Sequence, residues 1–211
     1  MPTGRGLQAL LSRTAILAAL ACGPTAQAGN GALGPDAGSE GVRVRFDQSS
    51  GQTRIAGRAS TDVCFAFSLP HEWRQAADSV QPRLQAVSSG AEIEIVLRSA
   101  RELRHLPQQD LASRDAALLQ QDYEGLLGRP AQAVSLTSSG SGATLWSATW
   151  VDPHLPTDAT AMTVETLIVP LSATWVLELS LSNIGAPDDH DALLRKLLSG
   201  LRVQGGTACG I

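Results

Sequence analysis

The chain has 211 residues, 43% of them hydrophobic and 17% charged, a composition that fits one globular domain with an appendage and excludes disorder, collagen and a polytopic membrane protein. Its formal charge is −4; residues 1–28 carry Arg5 and Arg13 and no acid, so the remainder has 14 bases against 20 acids and stands at −6, without the basic footprint that nucleic acid requires. Lys196 is the only lysine, which leaves neither a P-loop lysine nor a Schiff-base lysine on another segment.

In chain order, residues 1–28 read as an export signal. Arg5 and Arg13 form the basic region, Thr14 to Cys22 the apolar core, and Ala26-Gln27-Ala28 the small-residue cleavage site. The apolar run is too short for about 30 Å of hydrocarbon, and no later run reaches roughly 18 apolar residues, so no integral membrane segment is expected after cleavage. The processed chain is predicted to begin at Gly29 and to be periplasmic or secreted; Leu20-Ala21-Cys22, which resembles the acylation site of a lipoprotein, is the alternative. Once Cys22 is lost, Cys64 and Cys209 remain as an even pair in an oxidising compartment, and a disulfide between them is expected, with two buried free thiols as the other reading.

Residues 29–40 are rich in glycine and small polar groups without periodicity and are predicted to be a flexible linker; residues 41–211 form the domain. Val42, Val44 and Phe46 alternate with Arg43 and Arg45 as a half-buried strand does, and after a turn over Gln48 to Gln52 the chain returns over Thr53 to Arg58. Val63, Phe65 and Phe67 share one face of a strand that Pro70 closes, and Ile93, Ile95 and Leu97 alternate with Glu92 and Glu94 in another. Leu111, Ala116, Leu119, Tyr123 and Leu126 recur at helical spacing, with Asp110 or Ser113 as N-cap and Gly128 as the stop. Strands follow over Ala131 to Thr137, Thr144 to Val151, Met162 to Pro170 and Thr174 to Ser182, with a Ser-Gly turn at Ser138 to Gly142 and a proline-containing loop at Asp152 to Ala159. A helix over Asp188 to Leu201 carries acids at its start, suited to capping and to the helix dipole, and Leu194, Leu197, Leu198 and Leu201 on one face. Meandering strands with two amphipathic helices and no β-α-β-α alternation predict an α+β fold whose mainly antiparallel sheet is flanked by the helices.

The segment Phe67-Ser68-Leu69-Pro70-His71-Glu72-Trp73 resembles the F-S-L-P-x-x-W opening of the PsbP-like and DcrB-like domains, and the ending from Leu193 to Val203 is similar to that family's close. The likeness spans roughly Gly41 to Val203. It implies an α/β/α sandwich around an antiparallel sheet and an accessory or interaction role rather than an enzymatic one. The family offers no catalytic residue set to carry over.

The four histidines, His71, His105, His154 and His190, lie on separate segments without metal-ligand spacing, so no metal, cofactor or catalytic residue is assigned. Asp188, Asp189, His190 and Asp191 cluster at one helix start, where capping and the dipole account for them. Trp146, Ala148 and Trp150 share a strand face with Trp175 on a neighbouring strand, and all are expected in the core; Trp73, after a strand-ending proline, is expected to be the most exposed tryptophan. The sequence therefore predicts an exported, periplasmic, non-catalytic accessory protein that binds an envelope protein through His71, Trp73, Asp152 and His154. A carrier of a small hydrophobic ligand, favoured by an exposed pocket at Trp146 or Trp175, is the first alternative. A hydrolase built on Asp152 and His154 is the second.

Overall fold

The structure, a computed structural model, describes residues 42–76, 81–139, 142–151 and 161–206. The predicted export signal, the linker, the Asp152 to Ala159 loop and Cys209 lie outside the described residues.

Three strands form where period-2 alternation requires them. β1 (Arg43–Asp47) and β2 (Gln52–Ser60) make a hairpin, with Gly51 at φ 64 closing the turn, and β3 (Val63–Pro70) pairs with β2 and ends at the predicted proline. Gly57 lies opposite Phe65, and a Cβ there would come within 2.4 Å of the Phe65 ring, so the close approach admits only glycine without repacking.

The chain then adds β4 (Trp73–Gln75), β5 (Arg83–Ala86) and β6 (Glu92–Ser99). The fourth and fifth are strands the sequence did not announce, because three and four residues cannot display a period. α1 (Leu111–Leu127) is capped by Asp110 rather than Ser113: the Asp110 carboxylate accepts the Ser113 N–H at 2.9 Å, and the Ser113 hydroxyl together with this N–H holds the Asp110 pKa low. Gly128, left-handed at φ 66, ends the helix. β7 (Ala133–Ser138), β8 (Thr144–Val151), β9 (Ala161–Pro170) and β10 (Trp175–Ser182) follow, then α2 (Pro187–Gly200) and β11 (Arg202–Gly205). At the start of α2 the predicted capping is absent: the N-cap is Ala186, which has no side-chain oxygen to accept an N–H, and Asp188 and Asp189 in the first turn act through the dipole alone.

The strands form two sheets, ordered β1-β2-β3-β11 and β4-β5-β6-β10-β9-β8-β7, and every pairing is antiparallel, so the fold is α+β. The expectation of one apolar sheet face beneath both helices is too simple. β10 alternates, with Leu177 and Leu179 on one face and Val176 and Glu178 on the other, yet both faces are covered. Leu177 and Leu179, with Ile93, Ile95, Leu167 and Val169, share a core with Phe65, Phe67 and Leu69 of the smaller sheet and Leu194 and Leu197 of α2. Val176, with Trp146, Trp150 and Ile168, faces the other way and packs beneath α1 against Ala112, Ala116 and Leu119. Leu126, predicted on the inward stripe of α1, is 79% exposed. The last turn of α1 meets that core through Leu127 instead.

Candidate functional site

The resemblance-bearing segment is held by a hydroxyl that sequence reading passed over. Thr53, fully buried in β2, donates its hydroxyl to the His71 carbonyl at 2.7 Å and accepts the Trp73 N–H at 2.9 Å. The His71 N–H donates to the Gly51 carbonyl at 2.9 Å, and the Trp73 indole N–H donates to the Pro70 carbonyl at 2.8 Å. These bonds steer the chain from β3 of the smaller sheet into β4 of the larger one, and they hold His71 at φ 63, a left-handed conformation that costs a non-glycine residue on the order of 1 kcal/mol or more.

His71 stands exposed on the rim of a groove of about 350 Å³ between the β5–β6 turn and α2. Trp73, Ala86, Ile184, Ala192 and Leu193 supply apolar lining, and Ser88, Asp189 and Lys196 supply polar groups. Trp73 is 5% exposed, which corrects the expectation that it is the most exposed tryptophan. The bond from its indole to Pro70 turns the ring inward, where it joins the core and lines the groove.

The structure brings together only part of the predicted surface. His71 and Trp73 meet at the groove; Asp152 and His154 lie outside the described residues. His190, on the first turns of α2, places its Nε2 3.1 Å from a Glu165 carboxylate oxygen. Cys64 is buried on β3 opposite Gln204 of β11, with its Sγ 3.7 Å from the Gln204 carbonyl oxygen, while its expected partner Cys209 is not among the described residues. Trp146 and Trp150 are buried as expected, with ring centroids 5.8 and 5.7 Å from Tyr123 of α1. Trp175 lies two strands from β8, with β9 between, and is the half-buried tryptophan.

A buried charge cluster had no signature in the residue spacing of any known motif. Arg98 of β6 places its Nε 3.1 Å from Asp115 of α1 and within hydrogen-bond reach of Glu178 of β10. One guanidinium thus faces two carboxyl groups, and neither Asp115 oxygen has a well-formed hydrogen bond among the described residues. Burial, reinforced by the Glu178 carboxylate, pushes the Asp115 pKa up to about 8. Burial, followed by Glu94 and Glu178, also raises the Tyr123 phenol. One signal could have found the cluster: Asp115 falls at inward spacing between Ala112 and Leu119, and an acid there needs a partner across the interface.

The geometry defines an α+β protein with an apolar groove at the junction of its two sheets. The chain matches no protein-family model and no curated protein sequence.

Proposed function

We propose that this chain is an exported, periplasmic accessory protein that binds a partner protein rather than catalysing a reaction, and that the groove beside His71 receives an apolar side chain of that partner. The observation that carries the reading is a non-glycine residue held at φ 63 on the rim of an apolar groove. Backbone strain of this kind clusters at ligand clamps and switch regions, where surrounding bonds sustain it. The resemblance of Phe67 to Trp73 to the PsbP-like and DcrB-like opening supports the accessory role, and with it a reading of the layers as that family's α/β/α sandwich. The Arg5 to Ala28 pattern supports export, and Asp152 and His154 belong to the proposed surface on sequence grounds.

In that compartment Cys64 and Cys209 form a disulfide. β11 runs antiparallel to β3 with Gln204 opposite Cys64, and Cys209 follows Gln204 by five residues in the sequence. Closing so long a loop stabilises the fold by about 4–5 kcal/mol in the chain-entropy model, before any strain.

The test fills the groove. Ala192→Trp, on the exposed wall of α2, is expected to abolish crosslinking to envelope partners from a photoreactive residue at Ser88 while leaving the unfolding midpoint unchanged. Undiminished crosslinking in a stable Ala192→Trp protein overturns the assignment of the groove. Turnover of an ester, peptide or glycan by the purified protein overturns the non-catalytic reading.

A further inference from the structure

Trp175 opens a second site, distinct from the groove. At the start of β10 it borders a cleft of about 740 Å³ with Ser99, Arg101, Arg104, Arg114 and Thr174. Arg101 and Arg104 come from the turns between β6 and α1, and Arg114 from the first turns of α1. Among the described residues no carboxylate lines this cleft, although the chain carries 20 acids against 16 bases. Among the described residues, too, none of the three guanidiniums has a carboxylate within ion-pair distance.

The cleft is built rather than a chance meeting of long side chains. Leu103 and Leu106, fully or nearly fully buried, anchor the connecting segment in the core beneath α1, and this turns Arg101 and Arg104 outward. The Ala100 N–H donates to the Thr174 carbonyl at 2.8 Å, which ties that segment to the β9–β10 hairpin on which Trp175 stands. The nearby Glu102 carboxylate is occupied, accepting the Ser99 N–H at 3.0 Å and its hydroxyl at 2.7 Å. Arg114 donates its Nε to the Gln108 carbonyl at 2.6 Å and an Nη to the Gln109 carbonyl at 3.3 Å, so its guanidinium is oriented while keeping its full charge.

We infer that this cleft binds the phosphate group of a phosphate ester, held by Arg101, Arg104 and Arg114. Guanidinium forks match phosphate oxygens, and convergence of three like charges without a counterion is relieved by an anion. The volume lies within the range of small-molecule sites. A soluble phosphate ester and a phospholipid headgroup share this chemistry, and the experiment separates them.

Binding of phenyl phosphate to the purified protein is measured by titration calorimetry, with phenol as the uncharged control, and in a separate arm cosedimentation is measured with phosphatidylcholine vesicles with and without phosphatidylglycerol. Phenyl phosphate is expected to bind at least about tenfold more tightly than phenol, and Arg101→Ala with Arg104→Ala is expected to weaken its binding by about tenfold or more. Both arginines are exposed, so the double variant keeps the wild-type unfolding midpoint; Arg83→Ala, an exposed arginine outside the cleft, is the charge control and leaves binding unchanged. Vesicle binding that requires phosphatidylglycerol and the same two arginines, without phenyl phosphate binding, assigns the phosphate to a lipid. Absence of binding in both arms, or equal loss in Arg83→Ala, overturns the site.

Discussion

On one face of the seven-stranded sheet Ile93, Ile95, Leu167, Val169, Leu177 and Leu179 are buried by apolar contact alone; on the other, Trp146, Trp150, Ile168 and Val176 share the space beneath α1 with Arg98, Asp115 and Glu178. The apolar face is held by area removed from water, which is insensitive to pH and tolerant of conservative exchange. The face beneath α1 is held partly by a charge balance that fixes how the helix docks, because the Arg98 guanidinium faces Glu178 and a carboxyl of α1 at once. Burial with similar completeness therefore carries different vulnerabilities on the two sides.

The sharpest break in that comparison comes from Arg98→Met, which keeps much of the volume and removes the charge. It leaves the Glu178 carboxylate, beside an Asp115 that holds its proton at neutral pH, buried without a cation and is expected to cost about 3–5 kcal/mol, measured by urea unfolding at neutral pH. Leu179→Ala on the opposite face is expected to cost about 2–5 kcal/mol by leaving a cavity. The two differ in their response to acid: protonation of the carboxyls restores much of the loss in Arg98→Met and none of it in Leu179→Ala. Equal losses at every pH would show that the charge cluster does not set the stability of its face.

A second measurement isolates Asp115. Its pKa in the folded chain, about 8, stands above the ordinary value of 3.8 that unfolding restores, so between these values the folded state holds a proton that the unfolded state releases. Its contribution to stability is therefore fully present below about pH 4 and is lost as pH rises to about 8. Asp115→Asn is expected to remove this slope and to be more stable than the wild type at pH 8, by unfolding midpoints across the range. A parallel pH profile in the variant would place the titrating group elsewhere.

The smallest effect concerns the junction between the sheets. His71→Gly relieves the left-handed backbone and is expected to stabilise the fold by about 0.5–1 kcal/mol while weakening partner capture at the groove. A destabilised His71→Gly protein would mean that the imidazole itself supports the fold.

The sequence by itself determined the elements whose signal is local. The alternation in β1, β3, β6 and β8 follows the pleat, and α1 is bounded by Asp110 and Gly128 because a side-chain acceptor and a left-handed glycine act within one helical turn. The antiparallel α+β class followed from the absence of β-α-β-α alternation. Only the tertiary structure decided what depends on partners distant in sequence. Trp73 is buried because Pro70 receives its indole N–H and the core receives its ring, although its sequence neighbours His71, Glu72 and Arg74 point to exposure. Asp115 falls at inward spacing on α1, but its partners Arg98 and Glu178, on two separate strands, are named only when the fold brings them across the interface. The division into two sheets was likewise hidden, since β4 and β5 are too short to carry a period and the alternation of β10, with Glu178 and Ser180 on one face, does not announce that both of its faces are covered.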